Sequence, residues 1–109
     1  MQTLQLQDIL ILKVIRSYLV KIQIKENIVF VSSIYPGNTS EDLEKLITEP
    51  LEDKLKSVNN IIDIKSSSQE NFSLIIIEFD DGIGFTEAKL KVKDEVETAV
   101  ASEDWPMYN

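Results

Sequence analysis

The sequence predicts an α+β fold, an antiparallel sheet with two helices on one face in split β-α-β-β-α order. Three observations carry this. The stretch 28–55, IVFVSSIYPGNTSEDLEKLITEPLEDKL, opens with β-branched and aromatic residues. It reverses at Pro36-Gly37-Asn38 and continues with Leu43, Leu46, Ile47, Leu51 and Leu55 at helical spacing. Residues 61–68 and 72–79 then read as two strands joined by a short polar turn, and 86–101 reads as a second helix.

At 109 residues the chain holds one domain with a modest core. Its 43% hydrophobic and 28% charged residues suit a soluble globular protein. The net charge of −8 opposes a nucleic-acid partner, because that affinity comes from Lys and Arg at phosphates. Lys89, Lys91 and Lys93 alternate with Glu87, Asp94, Glu95 and Glu97, the pattern of a solvated helix face.

Cys and His are absent, which removes disulfides, thiol chemistry, imidazole or thiolate zinc sites and the usual near-neutral acid/base group. A hydrolase built on Glu78, Asp80 and Asp81 lacks a nucleophile-base-orienter arrangement, so no enzyme and no cofactor are expected. A metal at Asp80-Asp81 lacks further ligands at useful spacing. A spanning helix needs roughly 18 nearly uninterrupted apolar residues. The best stretch, 9–20, is shorter and carries Lys13 and Arg16, and no small-residue cleavage site follows it.

Residues 1–26 are read as a strand-like N-terminal extension and 27–109 as the folded unit. Leu4, Leu6, Leu10, Leu12 and Val14 recur with period two, and Lys21 to Lys25 alternate cleanly. A helix over 7–20 is the alternative. After a turn at Glu26-Asn27, the strand 28–35 is apolar on both faces in its first half. Pro36 fixes its own φ, and Gly37 and Asn38 tolerate positive φ. Thr39 takes the N-cap position, with Asp42 three residues on.

Pro50 deletes a helical hydrogen bond, so a kink, or two short helices meeting near Thr48 and Glu49, is expected. Asn59-Asn60 supplies a left-handed exit. Simple alternation puts Ile62 and Ile64 on one face of the next strand, and Ile61, Asp63 and Lys65 on the other. Leu74 to Ile77 is apolar on both faces and calls for a second covering layer, from the N-terminal segment or from another domain or chain. Asp80-Asp81-Gly82 is a turn. The last helix presents Phe85, Ala88, Val92, Val96, Ala99 and Val100 as its core stripe, with Leu90 opposite as a contact candidate. Trp105-Pro106 lies in a tail that either anchors or dangles.

The segment from Ile28 to Pro106 resembles the resistance-nodulation-division (RND) efflux transporters of the acriflavine-resistance type. The motifs are Tyr35-Pro36-Gly37 before an acidic helix, Thr48-Glu49-Pro50 within it, the serine-rich strand end Ser66 to Ser68, and the Phe79-Asp80-Asp81-Gly82 turn. The resemblance implies a ferredoxin-like sandwich, the first periplasmic porter (N1 or pore) subdomain, in which the second helix meets its counterparts about a three-fold axis.

Under that resemblance Leu90, Lys93 and Glu97 are subunit-interface candidates, and Ser66, Ser68 and Gln69 are substrate-contact candidates. The implied partners are other porter subdomains and protomers, and amphiphilic small molecules through the full-length pump. The parent would sit in a bacterial inner membrane with this part facing the periplasm, while this chain alone is soluble. The family's leading spanning helix, its proton-relay acids and lysine, and its return strand are missing from this sequence. A fragment unable to pump alone is therefore expected, with the N-terminal strands filling the vacant sheet edge. The alternative is a free-standing ferredoxin-like module that binds a small ligand and dimerises through its sheet.

Overall fold

The structure, a computed structural model, describes residues 20–102, 105 and 106. The Leu4 to Val14 alternation, and all of the alternative helix over 7–20 except Val20, lie outside the described residues. The elements are β1 (Val20–Lys25), β2 (Ile28–Ile34), α1 (Ser40–Leu43), a π-helical turn (Glu44–Thr48), α2 (Glu49–Leu55), β3 (Ile61–Gln69), β4 (Phe72–Phe79) and α3 (Phe85–Val100). The strands form one antiparallel sheet in the order β1-β2-β4-β3. β2 and β3 are joined through helices and separated by β4, which is the split βαβ arrangement. β1 pairs with β2 along its whole length, so the sheet draws strands from both sides of residue 26.

Both helical layers lie on one face. The first helical layer, α1 to α2, covers β3 and β4, while α3 covers β1 and β2. Beneath them Val29, Val31, Ile75, Ile77 and Phe79 meet Leu43, Ile47, Leu51, Leu55, Ala88, Val92 and Val96, all buried. Full burial of one such aliphatic side chain contributes about 1.5–3 kcal/mol.

The helix starts where its cap predicts, with the Asp42 N–H donating to Thr39 Oγ1 at 3.2 Å. Its middle differs from a simple kink. The Glu49 N–H reaches back five residues to the Glu44 carbonyl, and Pro50 then opens α2 in its first turn, where a missing N–H costs least. The junction at Thr48 and Glu49 is where two helices were expected to meet. Leu46 stands off the line of Leu43, Ile47 and Leu51, as helical spacing places it. Leu46 is 47% exposed and does not belong to the core stripe.

β3 corrects the alternation. Ile61 pairs with Phe79 and Asp63 with Glu78, so Ile62 is the extra residue of a β-bulge. Ile61 and Ile64 both pack on the core, whereas Ile62 is 61% exposed. Phe85, expected in the stripe of α3, stands at the first helical position and is 53% exposed. The helix ends earlier than Asn59-Asn60, at Leu55 with Lys56 as its C-cap, and Asn60, at φ 72°, is instead the left-handed residue that leads into β3; Gly37 takes φ 88° in the Pro36 turn. The tail anchors: Trp105 is buried against Tyr35.

Candidate functional site

The serines at the end of β3 do not gather into one patch. Ser66 and Ser68 lie opposite Ile75 and Ser73 and therefore on the helix-covered face. Gln69 lies opposite Phe72 on the other face. Ser66 and Gln69 are exposed, and Ser68 is half-buried at the edge of the first helical layer.

Ser68 belongs to a directed chain of hydroxyls. Its Oγ donates to Glu44 Oε2 and lies 2.8 Å from Thr48 Oγ1, which in turn lies 2.6 Å from Ser73 Oγ. A hydroxyl has one proton to give. Because Ser68 gives its proton to the carboxylate, Thr48 must donate to Ser68, and Ser73 to Thr48. Thr48 is fully buried, so this chain satisfies a hydroxyl that burial would otherwise penalise. The neighbouring Ser33 Oγ, cross-strand from Ser73, is buried without a hydrogen-bond partner among the described residues.

Thr48, Glu44 and Ser73 were not singled out as site residues from the sequence. The available signal was Thr48 itself, a polar residue three before Leu51 and seven before Leu55 on the core side of the helix. The outer end of the hydroxyl chain, Glu44 and Ser68, lines an open groove of about 320 Å³ together with Ser40, Glu41, Lys45 and Glu49.

At the same end, Asn71 clasps the Pro36 turn. Its side-chain oxygen accepts the Gly37 N–H at 2.6 Å and the Asn38 N–H at 3.3 Å, and its backbone N–H donates to the Asn38 carbonyl at 2.9 Å. The turn is thereby fixed to the β3-β4 hairpin, and the helix N-terminus with it.

The sheet's second face carries no helix among the described residues. Its centre is largely apolar: Ile28, Phe30 and Ile34 from β2 run beside Phe72, Leu74 and Ile76 from β4, interrupted by Ser32 opposite Leu74 and Glu78 opposite Ile28. The edge strands give it a polar rim, with Lys21, Gln23 and Lys25 on β1 and Lys65, Ser67 and Gln69 on β3. An apolar stripe inside a polar rim is the composition of a contact surface.

On α3, Leu90 is 52% exposed, as its position opposite the core stripe requires. Lys93 and Glu97, one turn apart, form an exposed ion pair at 3.9 Å on the same side of the helix. Among the described residues no helix is long and apolar enough to cross a membrane.

Residues 22–105 match the AcrB/AcrD/AcrF family over most of the chain. The chain belongs to this family. A curated relative, the swarming motility protein SwrC of Bacillus subtilis (strain 168), is 27% identical over 74 residues, 68% of this chain and 7% of that protein. A solved heavy metal efflux pump shares the fold with a TM-score of 0.63 and 21% identity, over 81% of this chain and 10% of the pump chain. The AcrB/AcrD/AcrF match thus covers a unit that spans a small part of these larger proteins.

Proposed function

We propose that the chain is an N1-like porter subdomain of a proton-driven RND efflux transporter, facing the periplasm, that helps assemble a trimer and forms one wall of a substrate pathway. In this reading residues 27–109 are the subdomain and 1–26 an extension that supplies β1. The observation that carries it, given the family, is the apolar stripe of Phe30, Leu74 and Ile76 on the helix-free face, which suits burial against neighbouring porter subdomains. Leu90, Lys93 and Glu97 would face the other protomers. Ser66, Ser68 and Gln69 would contact amphiphilic molecules, Gln69 from the opposite surface to the two serines.

The test is the genomic sequence on either side. An open frame continuing into many spanning helices supports the reading, and stop codons on both sides with no such frame remove it.

The alternative, a free-standing module that dimerises through its sheet, accommodates the four-stranded sheet that β1 completes as well as the subdomain reading does. Solution mass separates the two readings. A tight dimer that binds no hydrophobic dye supports the module. A monomer or weak trimer with dye on the sheet supports the subdomain.

A further inference from the structure

The outer edge of β1 borders a groove of about 290 Å³ that closes against α3. Val20, Ile22, Val96 and Val100 give it an apolar floor, and Lys89, Lys93 and Glu97 form its rim. We propose that this groove is a strand-addition site that accepts an extended acidic peptide segment, with apolar residues at alternate positions, as a fifth strand beside β1. The proposal concerns the chain's own edge and does not rest on the transporter reading.

The backbone geometry identifies the pairing groups. The Phe79 N–H donates to the Asn27 carbonyl, so the N–H and C=O of Ile28 turn away from β4 and toward Lys25 of β1. Alternation then directs the polar groups of Lys25, Gln23 and Lys21 inward to β2, and those of Ile24, Ile22 and Val20 outward to the open edge. Among the described residues no strand pairs there. The residues whose backbone faces the edge are thus those whose side chains lie on the helix-covered face. An added strand would place every second side chain over Val20, Ile22, Val96 and Val100 while its backbone continued the ladder.

The charge of the rim selects the occupant. In a chain of net charge −8, Lys89 and Lys93 stand over the groove, and Lys21 and Lys25 flank the same edge on the opposite face. Lys93 shares its charge with Glu97, whereas Lys89 has no ion pair among the described residues. An incoming strand with glutamate or aspartate at its ends meets these lysines, while a basic one is repelled. Lysines along an exposed edge also discourage neutral, self-complementary strands.

The test uses the full 109-residue chain, labelled with nitrogen-15, and a synthetic nine-residue peptide alternating valine and serine with a glutamate at each end. The expected result is saturable binding that slows amide exchange of Ile22 and Ile24 at least about tenfold and leaves Gln23 unchanged, since its N–H is already bonded to β2. The double variant Lys89→Glu with Lys93→Glu, with its circular dichroism unchanged, should weaken binding by about tenfold. Four outcomes overturn the proposal. They are equal binding of the same peptide with lysine ends, binding that perturbs the Phe30 and Ile76 face instead, protection of Ile22 and Ile24 in the free chain at every concentration, and protection that appears only as the chain self-associates.

Discussion

Trp105 Nε1 donates a hydrogen bond to Tyr35 Oη at 2.6 Å, joining residues 70 apart in sequence, and the two rings meet edge to face with centroids 6.4 Å apart. Tyr35 is the residue before the Pro36 turn, so this contact ties the C-terminal tail to the point where β2 gives way to α1. Both side chains are buried, and the hydrogen bond gives each polar tip a partner.

Trp105→Phe keeps most of the apolar volume and loses the donor. It should destabilise the chain by about 1–2 kcal/mol, and Trp105→Ala by about 3–5 kcal/mol, since the second adds a cavity to the lost bond. Equilibrium urea unfolding of the two variants reads the difference. Equal stabilities would mean that the tail does not anchor through this pair.

Thr48→Val preserves shape but removes the hydroxyl through which Ser73 is linked to Ser68 and Glu44. A cost of about 1–3 kcal/mol is expected, while Thr48→Ser should retain most of the stability because it restores the same donor and acceptor. Guanidinium midpoints at constant slope check this. A valine variant as stable as the parent would show that the chain of hydroxyls contributes nothing net.

The bulge in β3 makes neighbouring isoleucines unequal. Ile62→Thr should change stability by no more than about 0.5 kcal/mol, whereas Ile64→Ala should cost about 1–3 kcal/mol. Thermal unfolding of the pair tests the register, and the opposite ranking would restore the simple alternation.

Gly37 and Asn60 both adopt left-handed backbone, at φ 88° and 72°. Beyond its chain neighbours nothing crowds the place a Cβ would take at Gly37, so Gly37→Ala should cost about 1 kcal/mol from the backbone alone. Asn60→Gly should be neutral within about 0.5 kcal/mol, and Asn60→Val clearly destabilising. Calorimetric midpoints of the three variants give the order.

Local chemistry made much of this molecule legible in its sequence. Thr39 as cap, Asn60 as a left-handed turn residue, Pro36-Gly37 as reversal, and the spacings of Leu43, Ile47, Leu51 and Leu55 and of Ala88, Val92 and Val96 each depend on neighbours within a turn or two. The order of elements followed from them, while the family resemblance rested on the Tyr35-Pro36-Gly37, Thr48-Glu49-Pro50, Ser66 to Ser68 and Phe79-Asp80-Asp81-Gly82 motifs. The alternation of Lys21 to Lys25 likewise marked a strand before any partner was known.

Tertiary structure decided what depends on residues far apart. The bulge separated Ile62 from Ile64, because inserting one residue shifts register without altering composition. The site candidates divided for the same reason: strand pairing sent Ser66 and Ser68 to one face and Gln69 to the other. Sequence spacing alone could not bring Thr48 between Ser68 and Ser73, or Trp105 onto Tyr35, since those contacts exist only after the sheet has formed and the helices have packed across it.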